Sequence, residues 1–376
     1  MNTLGKKLRC HPVIKFCASL RITLTCLSLL FVLTFWGTVD QVYNGLYLAQ
    51  ERFFYSFFFI FAGFIPFPGA QLVLWVLFIN LFCVGLVRFV YKWDHIGIAI
   101  IHSGLLLFFV AAFVTFHASE ESHLTLLETE AANVSEAYHD WELALWKENG
   151  DGKDVVAYDA RDMRPGTRLD FSEYGLALAV SDYYPNSEAY LGGQNTVLNA
   201  SGIQDLKPIS LNKEPEKNLP GCILAIHGLD IDTVPALLYG GESKPLKIAK
   251  GGRNYFLQLR RKHFPLPFVL RLKNFTVEWH PNTDIAQSYK SLVEIIPPGG
   301  GSREILISMN KPLRYKNFTL YQASYNTDEM GRESSTLAVV KNAGRTLPYF
   351  ASFMTFGGLA LYFLMMAFKT KFKNNL

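Results

Sequence analysis

Paired cysteines are missing from this chain of 376 residues. The five cysteines are Cys10, Cys17, Cys26, Cys83 and Cys222, and no two form a Cys-x-x-Cys. That excludes a dithiol oxidoreductase and a structural zinc site of ordinary spacing. Charge is scarce as well, at 18% of residues, against ~25% in soluble domains. No basic stripe marks a nucleic-acid surface. The glycine run PPGGGS at 297–302 is not followed by Gly-Lys-Ser/Thr opening a helix, so it reads as a turn and not a phosphate loop. Carboxylates are abundant but hold no spacing that argues for acid–base catalysis, and no catalytic residue is assigned.

What the chain has instead is apolar and aromatic: 50% hydrophobic residues, with 30 Phe, 18 Tyr and 6 Trp. Eighteen uncharged residues separate Arg21 from Asp40, and no charge occurs between Phe53 and Val87. A spanning helix needs ~20 predominantly apolar residues. Four spans are predicted, at about 19–39, 69–90, 96–116 and 347–368. The aromatic run 53–65, FFYSFFFIFAGFI, is short and ends at Pro66-Phe67-Pro68-Gly69. It is expected to lie at the membrane interface, where aromatic rings concentrate. A fifth span there would invert everything after it.

Lysine and arginine set the orientation. With the N-terminus inside, four spans leave ten of the eleven basic residues outside 117–346 on the cytoplasmic face, and only Arg52 beyond it. The expected organisation is a basic cytoplasmic N-terminus (1–18) and three transmembrane helices with the interfacial segment 41–68 (19–116). An extracytoplasmic domain (117–346), a fourth helix (347–368) and a basic cytoplasmic tail (369–376) follow. No small-residue cleavage site follows the first span, so it reads as an uncleaved anchor.

The exported segment reads mainly as β. In FVLRLKNFTVEW (268–279), Phe268, Leu270 and Leu272 share one face and Arg271 and Lys273 the other. LALAV (176–180), 222–226, 291–296, 304–309 and 318–324 read as further strands. Residues 185–220 and 239–254 read as long loops. Antiparallel strands with one solvated face suggest a sandwich or open barrel. The fold class expected is thus a four-span helical membrane protein with a large extracytoplasmic β domain.

Six stretches taken in order resemble the ResB (CcsB) family of cytochrome c biogenesis proteins. They are SLRITLTCLSLLFVLTFWGTVDQ, GLYLAQERFFYSFF, HIGIAIIHSGLLLFF, LPFVLRLKNFTVEWHPNTDIAQSYKSLVEI, MNKPLRYKNFTLYQASY and VVKNAGRTLPYFASFMTFGGLALYF. Asp40 stands where the family usually has Pro, as does Ala343 before Gly344. The resemblance implies a membrane subunit of a haem delivery and attachment complex, acting as a cytochrome c synthase (haem lyase) only with partners. The implied partners are a Trp-rich, CcsA/ResC-type membrane protein, apocytochrome c and a thiol–disulfide reductant protein, in the bacterial cytoplasmic membrane. The implied cofactor is haem b, held transiently and shared.

The residue that fits haem ligation is His102, inside the third span in IAIIHSGLLLFF. An ionisable side chain within a span is a functional hypothesis by default, and the family is thought to contribute one transmembrane ligand to the haem iron. Ser103-Gly104 are expected to leave room for a flat ligand. The alternative is a neutral histidine bonded to a neighbouring helix carbonyl. His95, seven residues earlier at the cytoplasmic boundary, is the second choice and could flank a haem entry path. His117 and His123 lie near the outer mouth of the span and read as ordinary interfacial histidines, with a relay ligand the alternative, and His139, His227, His263 and His280 lack metal-ligand spacing. The RRKH cluster (260–263) reads as a solvated face open to haem propionates or an acidic partner, and DWELALW (140–146) as a packed strand or amphipathic helix. A different class of reading also stands: a non-catalytic membrane-anchored module whose exported β domain docks a partner protein.

Overall fold

The computed structural model of the chain describes residues 11–374 except 62, 88–91, 151, 193–196, 230–232, 284 and 329. The first ten residues of the basic N-terminus, Arg88 and the last two residues of the basic tail therefore lie outside the described residues. The chain divides into two compact units, Met1–Glu120 with Lys341–Leu376, and Glu121–Val340.

The first unit is helical. Its long helices are α1 (Leu20–Asn44), α2 (Ala70–Val87), α3 (Ile96–Ala118) and α4 (Leu347–Asn374). All four are long and apolar enough to cross a membrane, with mean hydropathy from 1.7 to 2.4. They are apolar all round, the pattern of a helix whose surroundings are themselves apolar, and each satisfies its own backbone. α1 is joined to α2 by polar groups. Asn80, 2% exposed, accepts from Thr23 Oγ1 at 2.7 Å and donates to the carbonyls of Cys17 and Ser19 at 2.5 and 3.0 Å.

α3 and α4 meet through glycine. A Cβ on Gly97 would lie 2.8 Å from the backbone of Tyr362, and one on Gly358 would lie 2.9 Å from the Gly97 carbonyl oxygen. Small residues let the two backbones approach this closely. Gly104 belongs to the same seam, since a Cβ there would reach within 2.9 Å of the Thr355 nitrogen. The expectation that Gly104 leaves room for a ligand is therefore corrected: α4 fills that space.

No long helix forms in the aromatic run between α1 and α2. A short helix (Leu46–Ala49) passes into a single π-helical turn (Gln50–Phe54). A hairpin of β1 (Phe58–Phe61) and β2 (Ile65–Pro68) follows. Pro66 and Pro68 cannot donate to a ladder, which a two-stranded sheet with open edges tolerates. Phe59 packs on Phe53 at 4.8 Å between ring centres and on Phe67 at 5.7 Å. Arg52 lies over both Phe53 and Phe59 and donates to the Ile60 carbonyl at 3.1 Å.

The second unit is built from β3 (Ser119–Leu127), β4 (Ala131–Asn149), β5 (Gly152–Asp159), β6 (Arg168–Phe171), β7 (Leu176–Tyr184), β8 (Ser187–Leu191), β9 (Ile203–Pro208) and β10 (Gly221–His227). Then come β11 (Thr233–Tyr239), β12 (Leu246–Lys250), β13 (Arg253–Trp279), β14 (Ala286–Ile296), β15 (Arg303–Ser308), β16 (Leu313–Tyr315), β17 (Phe318–Thr327) and β18 (Glu333–Asn342). The large sheet runs β15-β14-β13-β4-β3-β18-β17-β16, with β12 beside β13 and β5 beside β4. The small sheet runs β11-β10-β7-β6, and β8 pairs with β9 alone.

The small sheet covers one half of the large one. Leu178, Leu224 and Ile226 meet Leu143, Leu145 and Leu257 in a core that includes Cys222, 0% exposed. Burial pushes the Cys222 thiol up to about 12, so it behaves as a small hydrophobe. The other half of the large sheet curls on itself around Phe268, Leu270, Leu272, Ile307 and Leu320. Ser291 of β14 bonds Gln322 of β17 at 2.6 Å and Ser335 of β18 at 2.8 Å, all three buried. Strands near opposite ends of the sheet thus face each other across one interior, an open-barrel arrangement.

Two sequence expectations are corrected in this unit. The supposed loops 185–220 and 239–254 contain β8, β9 and β12. Ile203 and Leu206 pack on Leu237, a burial that the surrounding turn residues concealed. The RRKH cluster is not an open face either. It lies where β13 crosses the acidic register of β4 and β5. Arg260 pairs with Glu142 at 2.9 Å, Lys262 with Asp159 at 3.0 Å and His263 with Glu136 at 3.6 Å, while Arg261 covers the Trp141 ring at 4.1 Å. DWELALW is a strand buried on both faces within β4.

Candidate functional site in the third helix

The α3–α4 seam uses the face of α3 that carries Gly97, Gly104 and Ala111, all buried. Residues 95, 102, 109 and 113 lie on another face, by the 100° step per residue. There α3 meets α2 through rings: Phe78 on Phe109 at 5.8 Å and Trp75 on Phe113 at 5.5 Å. As α3 runs down in number α2 runs up, so His102 is level with Gly85 or Leu86. A Cβ on Gly85 would meet nothing within 4 Å. His102 itself is half-buried.

His102 Nδ1 is 2.8 Å from the carbonyl oxygen of Ile98, one turn earlier in its own helix. A ring N–H donated there assigns the Nδ1–H tautomer and leaves Nε2 with its lone pair. This is the arrangement by which a histidine is oriented to bind a metal, the second nitrogen being held by a carbonyl. Among the described residues no group of three or more His, Cys, Asp or Glu could hold a metal ion. One imidazole can serve iron only as a single axial ligand, with the remaining coordination from elsewhere.

Residues 92–346 match the model of the ResB-like family. The chain belongs to that family. The match takes in α3 and the whole β unit. Among curated relatives, the Cytochrome c biogenesis protein CcsB of Prochlorococcus marinus strain NATL2A is 29% identical over 160 residues, covering 38% of this chain and 37% of that protein. Protein NrfI of Wolinella succinogenes is 31% identical over 99 residues, covering 26% of this chain and 11% of that protein. A CcsB of Synechococcus sp. strain CC9311 is 39% identical over 57 residues, covering 15% and 13%. The matched stretch thus spans little more than a third of the length of the first of these relatives and about a tenth of the other two.

In this ResB-like chain the stretches that carry the resemblance are largely packing residues. Phe268, Leu270, Leu272 and Phe275 line the open barrel with Leu313 and Phe318, and Gln322 is in its buried polar cluster. The other histidines sort by place. His95 closes the short 3₁₀ turn Trp93–His95 just ahead of α3. His117 ends α3 against the rings of Phe113 and Phe116. His227 bonds Thr233 at 3.1 Å at the end of β10, and His280 is exposed just after β13.

One grouping escaped the sequence reading. His123 of β3 and His263 of β13 flank Glu136 of β4, at 3.9 Å and 3.6 Å on separate carboxylate oxygens. The three residues are directly opposite one another in the strand registers. The His263 imidazole beside it, foremost, holds the Glu136 carboxyl below its ordinary range. Burial holds His123 and His139 below the usual histidine range.

Proposed function

We propose that this ResB-like chain is the membrane subunit of a cytochrome c biogenesis complex that helps move haem across the membrane and present it to apocytochrome c. The observation that carries the reading is His102: an imidazole inside a span, oriented by its own helix, with Nε2 available. The similarity to CcsB proteins named for cytochrome c biogenesis supports the biogenesis role. His102 Nε2 would hold the haem iron as one axial ligand. The second ligand would come from a CcsA/ResC-type partner, because no other histidine lies deep within a span. In this arrangement both termini are cytoplasmic and the β unit is extracytoplasmic. Haem bound there supplies its reduced iron and vinyl groups for attachment to apocytochrome thiols. The chain alone is not the enzyme.

The test is purification of the full chain with its partner. His102→Ala is expected to lose most of the co-purifying Soret absorbance and cytochrome c maturation while staying in the membrane. His102→Gly is expected to regain part of both when imidazole is supplied. A His102→Ala complex with full haem occupancy and an unchanged spectrum would refute the assignment and turn attention to His95. A wild-type complex without any Soret band would favour the docking-module reading.

A further inference from the structure

A cavity of about 420 Å³ opens in the β unit between β4, the turn that follows β5, and the end of β7. That is within the size range of small-ligand sites, roughly 300–1,000 Å³. Its walls are apolar: Trp141, Ala160 and Met163 are buried, and Pro185 closes one side. Trp141 has Arg261 over its ring at 4.1 Å and its ring edge against Gly240.

The polar groups at this cavity carry opposite charges in unequal number. Asp140 is ion-paired with Arg161, so those two offset each other. Arg164 also lines the cavity, and its exposed guanidinium forms no ion pair among the described residues. Tyr183 lines it too, and burial raises its hydroxyl to about 12, which keeps it a proton donor at any physiological pH. His139 at the rim is held below the usual histidine range by burial and adds no charge near neutrality.

We propose that this cavity binds the carboxylate of a small amphipathic ligand, with Arg164 and Tyr183 receiving the anion and Trp141 and Met163 the apolar body. A guanidinium and a hydroxyl donor suit one carboxylate. The apolar walls require a hydrophobic portion next to the charge. Two sources share this chemistry: a free aromatic acid, and an acidic residue beside an aromatic one in a peptide. The site is independent of His102.

The experiment is calorimetric titration of the full-length protein in detergent with 3-phenylpropionate, its neutral amide, and the peptide N-acetyl-Phe-Asp-amide. The acids are expected to bind in the millimolar range or tighter, given the small size of these probes. The neutral amide should bind about tenfold or more weaker than the acid, the scale of one charge-assisted hydrogen bond. Arg164→Gln should weaken the acids by a similar factor and leave the amide unchanged, and Tyr183→Phe should weaken them less. Binding of the free acid alone, or of the peptide alone, identifies the source. Equal binding of acid and amide, indifference to Arg164→Gln, or no binding of either acid would overturn the proposal. Arg164 is exposed, so its replacement leaves the fold available for the measurement.

Discussion

Replacing Glu142 with Ala tests whether the seam between β4 and β13 is held by a buried ion pair. Arg260 and Glu142 are directly opposite in the register. The Arg260 Nε and Nη2 atoms both lie 2.9 Å from Glu142 Oε1. The side chains are only 14% and 8% exposed, so solvent screens the pair weakly. Removing the carboxylate strands a guanidinium that also covers the Trp146 ring at 5.2 Å. Breaking one partner of a buried pair costs about 3–5 kcal/mol. For a domain of some 220 residues each kcal/mol shifts Tm by about 2–4 °C, so the expected loss is about 6–20 °C. The double variant Glu142→Leu with Arg260→Met should recover most of it, because apolar isosteres of a buried pair are often neutral. The assay is thermal unfolding of the full-length protein in detergent at one scan rate, followed by near-ultraviolet circular dichroism. A Glu142→Ala variant within about 2 °C of wild type, or a double variant as damaged as the singles added together, would refute the reasoning.

Other expectations follow from the same structure. Stability of the β unit should fall on acidification. The unfolded chain takes protons on histidine near the ordinary value of 6.5 before the buried His123 and His139 do. Glu136, whose folded value is depressed, loses its contribution as pH falls from the ordinary 4.5 through that lower value. His123→Gln should flatten the upper limb of a Tm-against-pH profile, and a wild-type profile that is level between about pH 7 and 5 would contradict this. Gly97→Val should loosen the α3–α4 seam by about 1–3 kcal/mol through overpacking, whereas Gly85→Ala should change stability by no more than about 0.5 kcal/mol; equal effects on detergent unfolding would sink the contrast. Reporter fusions after residues 125 and 340 should report the extracytoplasmic side and a fusion at Leu376 the cytoplasm, and a cytoplasmic signal at 125 would reverse the topology.

The sequence by itself determined the four long apolar helices, because a run of ~20 apolar residues is a local property. It likewise determined the alternation of Phe268, Leu270 and Leu272, since a strand's two faces are separated by one residue. Both were legible without knowing what lay beside them. His102 was legible as an ionisable residue inside a span, but its Nδ1 bond to Ile98 was not. The glycine after it looked like vacant space and proved to be packed against α4, because a missing side chain does not say which neighbour occupies its place. The strands within 185–220 and 239–254 were hidden by turn residues, since short strands gain their stability from partners elsewhere in the chain. Only the tertiary structure decided that His123, Glu136 and His263 share one row, that Arg260 answers Glu142, and that Trp141 forms a wall with Met163. Those meetings depend on strand register between segments up to ~140 residues apart. A one-residue slip would turn each side chain to the opposite face.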